Sequence, residues 1–175
     1  MNRAHATHFS YAPDPVIRHV LRGWDAPGQA ARHDLEVGDV RIRNVPTNIR
    51  DEGGGARLYG NSIFVFETAG VCIAHLGHLH HPLEPEQLRE LGRIDIVLAP
   101  VDGSWTLNRD DMIVVLTALN APLALPMHYF GSETLGRFLD KARDRFEVRF
   151  GEAATIVVSR ATLPQRPSVV VLPGR

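Results

Sequence analysis

Four of the nine histidines in this chain lie between residues 74 and 82. They are His75, His78, His80 and His81, and they follow an apolar run that predicts a buried strand. Imidazole is the commonest protein metal ligand and titrates near neutral pH. Loops at strand ends converge on pockets in α/β sheets, so the cluster indicates a metal site, with solvated loop side chains as the alternative.

Two further segments place histidine at a strand end or at the beginning of the chain. His5 and His8 lie near the amino terminus, and His128 directly follows the apolar run 122–127. A catalytic zinc ion needs three protein ligands, usually from different loops, and an open position for water. Three histidine-bearing loops on one rim of a sheet could supply them. For any one histidine alone, a hydrogen-bonded structural role is the alternative, and it applies to His75 in particular.

The composition is typical of one globular domain spanning residues 1–175, with 44% hydrophobic and 22% charged residues. A formal net charge of −1 gives no indication of a nucleic-acid partner. No stretch is long and apolar enough to cross a membrane, and the first residues lack the apolar core of a signal peptide. We therefore expect a cytoplasmic protein. Its single cysteine, Cys72, is predicted to be a buried, inert thiol.

The first half of the chain predicts hairpins. Residues 14–23 have an N-cap aspartate, an early proline and a terminal glycine, which predict a helix of about two turns. Residues 35–45 alternate around a Gly-Asp turn, and residues 62–67 and 71–74 form a second strand pair. The segment 47–60, with three consecutive glycines, is predicted to be a flexible loop or a lid.

The second half alternates strands and helices. Helices are predicted over residues 84–92, after the N-cap Asn108 and after the N-cap Ser132. Between them lie apolar runs that predict buried strands. Three closing strands are predicted at residues 146–150, 154–158 and 168–172. Hairpins followed by strand–helix alternation indicate α/β layers with a mixed sheet.

Five runs in this order resemble the metallo-β-lactamase fold hydrolases, in particular the branch of L-ascorbate-6-phosphate lactonase-like zinc hydrolases. The runs are Asn61–Glu67, Ile73–Gly77, Leu83–Leu88, Ile94–Val101 and Leu125–Tyr129. The resemblance implies an αββα sandwich with a one-metal or two-metal site at the edge of its two sheets.

The chain departs from this family at its metal motifs. Residues 77–81 correspond to the Gly-Asp-Leu-Gly-His motif of the branch. In this correspondence His78 replaces the metal-bridging aspartate, and His81 matches the family's histidine. The signature loop His-x-His-x-Asp-His corresponds to residues 6–11, where only His8 is kept and Ser10 replaces the general base. The last family ligand is kept as His128.

The resemblance also implies that the first strands of the sandwich are missing, because the signature loop lies within a dozen residues of Met1. An open sheet edge invites pairing with a second chain. We therefore expect an α/β sandwich of altered form that assembles as a homodimer.

Together, the histidines and the resemblance predict a metal-dependent hydrolase with a mononuclear site. His8, His78 and His128 would hold one zinc or similar divalent ion, and His80 and His81 would orient the substrate or transfer protons. The expected substrate is a small ester, lactone or phosphoester. Two alternatives stay open. The chain could be a metal-poor relative acting as a binding or assembly module, or a fragment of a larger enzyme.

Overall fold

The computed structural model describes residues 2, 9–51 and 53–174. Within these ranges the chain forms eight strands and three helices. In order they are β1 Asp34–Val37, β2 Val40–Arg50, β3 Ala56–Thr68, β4 Val71–His75, α1 Pro85–Leu91, β5 Ile96–Pro100, α2 Arg109–Leu119, β6 Leu123–Met127, α3 Ser132–Ala142, β7 Glu147–Phe150 and β8 Ser168–Val171.

The described strands belong to one mixed sheet with the order β1-β2-β3-β4-β5-β6-β8-β7. Strands β1 to β4 are antiparallel, and the pairs from β4 through β5, β6 and β8 to β7 are parallel. His75 at the end of β4 is in register with Leu98, and Pro100 at the end of β5 with Met127. The carboxyl ends of β4, β5 and β6 therefore lie at the same edge of the sheet. The predicted α/β class with a mixed sheet is confirmed.

The prediction of a flexible loop over residues 47–60 is wrong, because most of this segment extends the β2–β3 hairpin. Pairing continues from Thr47–Asn61 to Arg50–Ala56, with a register shift after Thr47. A Cβ on Gly60 would lie 2.2 Å from Ile49 Cγ2, so the glycine permits close strand approach. The three consecutive glycines occupy only the turn.

Two other predicted elements are absent from the described residues. Residues 14–23 form a turn at Asp14, whose side chain accepts from the N–H of Val16 at 2.9 Å. Val16 and Ile17 are exposed, so a short helix there would gain no burial to stabilise it. Residues 154–158 are not a strand, because β7 pairs directly with β8 and Val157 is 93% exposed.

The helices form where predicted and cover the parallel half of the sheet with apolar side chains. Asn108 caps α2 by accepting from the N–H of Asp111 at 3.0 Å. The N-cap of α3 is Gly131, one residue before the predicted Ser132. The buried residues of the two helices join one core with β2 to β6; they are Met112, Val115, Leu116, Leu119, Leu135, Phe138, Leu139 and Ala142. None of the described helices is long and apolar enough to span a bilayer.

Candidate functional site

Three loops meet at the carboxyl ends of the central parallel strands. They are residues 76–84 after β4, 101–108 after β5 and 128–131 after β6. Hydrogen bonds join them: the N–H of Leu107 donates to the carbonyl of Leu79 at 2.8 Å, and Nδ1 of His128 lies 3.0 Å from Oδ2 of Asp102. The loops therefore form one connected rim.

His78 and His128 lie side by side on this rim. Their ring centroids are 5.0 Å apart and the rings are nearly perpendicular, at 87°. His78 is buried, and the His128 side chain is largely buried. His128 has a φ of +56°, a left-handed conformation that costs free energy in a residue other than glycine. Two of the three predicted metal ligands thus come together, one of them on a strained backbone.

Asn61 of β3 positions the loop that carries His78. Its amide is fully buried; Oδ1 accepts from the N–H of His78 at 2.8 Å, and Nδ2 donates to the carbonyl of Leu76 at 3.1 Å and to Oγ1 of Thr47 at 2.7 Å. Gly77, between Leu76 and His78, has a φ of +62°. Asn61 of β3 thereby holds the loop that follows β4.

Asp102 is a site residue that the sequence reasoning missed. Its carboxylate is completely buried, and Oδ2 lies 3.0 Å from Nδ1 of His128. Burial alone would raise the pKa of Asp102, but donors from the Thr106 hydroxyl and from the backbone N–H groups of Ser104, Trp105 and Thr106 outweigh it and hold the pKa well below its ordinary value. Asp102 is therefore a carboxylate at neutral pH. The only sequence signal was an aspartate directly after a buried strand.

His80 and His81 bond to the backbone of β2 at Asn48. Nδ1 of His80 lies 3.2 Å from the Asn48 carbonyl, and burial lowers the pKa of His80. Nε2 of His81 accepts from the Asn48 N–H at 3.1 Å, and Nδ1 lies 2.7 Å from the Pro82 carbonyl. His81 therefore has its proton on Nδ1 and uses both ring nitrogens locally. The catalytic roles of His80 and His81 stay predictions.

The described residues bring two imidazoles together without a complete set of metal ligands. His78 and His128 offer two imidazoles, whereas the oxygens of Asp102 are occupied by hydrogen bonds. Within residues 2, 9–51 and 53–174, no group of three or more His, Cys, Asp or Glu side chains could hold a metal ion. The predicted third ligand, His8, lies outside the described residues. The donor set fits two positions of a mononuclear site and does not fit the carboxylate-bridged site of the family.

His75 adds a pH-dependent contribution to the stability of this loop. Its Nδ1 accepts from the N–H of Gly77 at 3.0 Å, and burial lowers its pKa from the ordinary 6.5. A lowered folded-state pKa contributes stability that is complete above 6.5 and is lost as the pH falls through the folded pKa. We expect the urea midpoint to fall between about pH 7 and 5, and His75→Gln to flatten that fall. His19→Gln, at an exposed position outside the described strands and helices, is the control; equal profiles for wild type and His75→Gln would contradict the assignment.

A mixed α/β sheet with histidines at the ends of its central strands agrees with the resemblance to the metallo-β-lactamase fold hydrolases. Residues 1–128 match the family model of the beta-lactamase superfamily domain. Because this match covers well over half of the chain, the chain belongs to that superfamily.

The relatives agree with this membership. A UPF0173 metal-dependent hydrolase of Methanoculleus marisnigri is 34% identical over 101 residues, covering 54% of this chain and 44% of the relative. One from Methanoregula boonei is 27% identical over 112 residues, covering 62% and 50%. The matched part of the chain thus spans about half the length of these relatives.

Solved structures share the fold. A Thermotoga maritima protein, assigned as a Zn-dependent hydrolase of the metallo-β-lactamase superfamily, has a TM-score of 0.64 and 30% identity, covering 85% of this chain and 70% of that chain. The metallo hydrolase Igni18 of Ignicoccus hospitalis has a TM-score of 0.52 and 17% identity, covering 82% and 56%. The second likeness concerns the fold alone.

Proposed function

We propose that the chain is a metal-dependent hydrolase whose site is a remodelled, mononuclear histidine centre. The observation that carries this proposal is the pair His78 and His128, with ring centroids 5.0 Å apart at the ends of β4 and β6. Membership of the superfamily and the metal-dependent hydrolases among the relatives support it. The expected substrate is a small ester, lactone or phosphoester.

His78 and His128 would hold the ion, with His8 as the third ligand of the proposal. Imidazole donors suit zinc, and three of them leave one position open for water. A bound divalent ion of this kind lowers the pKa of its water to about 7 and so supplies hydroxide. Replacement of a bridging carboxylate by His78 favours one ion over two.

The residues around the pair keep it in place and limit its exposure to solvent. Asn61 fixes the backbone of His78, and Leu79 and Leu107 join the loops through a backbone hydrogen bond while both are buried. His80 is the histidine proposed to orient the substrate or accept a proton, because its bond to Asn48 uses one ring nitrogen. Burial keeps this imidazole neutral to lower pH than usual, as its lowered pKa requires.

A homodimer and a cytoplasmic location also belong to the proposal. Strands β1 and β7 form the two edges of the described sheet, and an edge strand offers backbone groups to a second copy. Acidic side chains on both edges are already paired within the chain, Asp34 with Arg41 and Glu147 with Arg149, so charge does not favour one edge over the other.

The test is metal content and hydrolysis in the same preparations. We expect one zinc ion per chain by elemental analysis, and its loss in His78→Ala and His128→Ala. Hydrolysis of p-nitrophenyl acetate or of bis(p-nitrophenyl) phosphate should fall by roughly 100-fold or more in both variants, because a metal-bound hydroxide is worth several kcal/mol. His19→Ala is the control, since His19 is exposed outside the described strands and helices. A wild-type chain that folds but takes up no zinc would instead support the metal-poor binding module.

A further inference from the structure

The carboxylate of Asp102 is held by more donors than its position in a loop requires. Oδ1 accepts from the backbone N–H groups of Ser104 at 2.8 Å, Trp105 at 2.6 Å and Thr106 at 3.3 Å, and from the Ser104 hydroxyl at 3.1 Å. Oδ2 accepts from the Thr106 hydroxyl at 2.5 Å. The side chain is 0% exposed, so these bonds replace the water that an ionised carboxylate needs.

The remaining contact of Oδ2 determines the tautomer of His128. Nδ1 of His128 lies 3.0 Å from Oδ2, within hydrogen-bond distance. An ionised carboxylate only accepts, so Nδ1 must carry the proton. In the neutral imidazole the acceptor lone pair then lies on Nε2. Because the donors on Oδ1 fix the carboxylate, they also fix the plane and rotation of the His128 ring.

We propose that Asp102 is the positioning residue of the site, holding His128 in the Nδ1–H tautomer and so placing the lone pair of the ring on Nε2. The role of this tautomer in metal binding rests on the proposed function. A histidine that binds a metal ion needs one deprotonated ring nitrogen and a fixed ring orientation. The tautomer itself exists without metal or substrate. The backbone strain at His128 agrees with a residue placed for orientation.

The isosteric variant Asp102→Asn tests the geometry directly. Three backbone N–H groups keep the amide oxygen at the place of Oδ1. The amide NH2 then stands at the place of Oδ2 and donates to Nδ1 of His128. The proton of His128 must move to Nε2, so the variant inverts the tautomer with almost no change in volume.

The matched control is Asp95→Asn. Asp95 is a buried aspartate directly before β5, whereas Asp102 lies two residues after it, and Oδ2 of Asp95 accepts from the N–H of Cys72 at 2.8 Å. It lies at the opposite end of the strand from the histidine pair. The control therefore reproduces the loss of a buried carboxylate without touching His128.

The tautomer is read from two-bond 1H–15N correlation spectra of the metal-free, 15N-labelled protein. His128→Gln identifies the His128 signals. We expect Nδ1–H in the wild type and in Asp95→Asn, and Nε2–H in Asp102→Asn. In parallel, competition with a chromophoric chelator for Zn²⁺ should show affinity lowered roughly 10–100-fold in Asp102→Asn and unchanged in Asp95→Asn.

An Nε2–H signal in wild type, or an unaltered tautomer in folded Asp102→Asn, would overturn the proposal. The wild-type spectrum decides even where the variant does not fold. Wild-type protein that binds no Zn²⁺ but shows Nδ1–H would sink the proposed hydrolase while leaving the positioning by Asp102 intact. Equal Zn²⁺ affinity in wild type and Asp102→Asn would show that the contact is structural only.

Discussion

Gly77→Ala is expected to lower the free energy of unfolding by roughly 2–5 kcal/mol and to abolish zinc binding. The φ of +62° disfavours any side chain, and an added Cβ would stand 2.5 Å from Oδ1 of Asn61 and 2.0 Å from Nδ2 of Asn2. Asn61 cannot move without losing its bond to the N–H of His78. The substitution therefore displaces a proposed ligand along with the loop. Urea denaturation and elemental analysis measure the two effects.

Gly92→Ala separates backbone strain from steric overlap. Gly92, at the end of α1, has the same φ of +62°, and no atom lies within 4 Å of an added Cβ. Only the conformational cost remains; at φ +62° and ψ −144°, a region that almost only glycine occupies, it is about 1–3 kcal/mol, and zinc binding should be kept. If the two alanine variants lost equal stability, the contact between Gly77 and Asn61 would not be the constraint that we describe.

The fold was predictable wherever an element is defined by local chemistry and also finds a partner. Asn108 at the start of α2 and the turn at Gly38 and Asp39 between β1 and β2 specify structure from neighbours alone, and both are found. The turn at Asp14 carries helix signals of equal quality, yet Val16 is exposed. A capping residue satisfies backbone donors, but it cannot create the apolar surface that a short helix must cover.

In the candidate site, too, some residues could be predicted from the sequence and others could not. The placement of His78 and His128 at one edge follows from parallel strands β4 and β6, which the alternation of strands and helices indicates. Asp102 and Asn61 were not predicted, because their roles depend on partners 26 and 17 residues away. An aspartate in a turn and an amide at a strand start have many ordinary uses. The register of β3 places Asn61 beside the loop of His78, and the loop after β5 places Asp102 beside His128.

The second large effect is expected at Asn61. Asn61→Ala leaves three buried groups without their partner, namely Oγ1 of Thr47, the carbonyl of Leu76 and the N–H of His78. Each buried polar group that loses its hydrogen bond costs about 1–3 kcal/mol, so we expect a loss of roughly 3–5 kcal/mol with partial compensation by water. Since His78 also loses its backbone anchor, Zn²⁺ affinity should fall even in the fraction that stays folded.

Asn44→Ala is the matched control for this second effect. Asn44 of β2 is another buried amide with three partners: it donates to the carbonyl of Ala31 and to Oγ of Ser62, and it accepts from the N–H of His33. Its removal loosens residues 31–33 from the sheet but leaves the loop of His78 untouched. The two variants should therefore lose similar stability in urea denaturation, while Zn²⁺ affinity measured by chelator competition falls only in Asn61→Ala. A parallel loss of affinity in both would mean that general destabilisation, and not the anchoring of His78, controls metal binding.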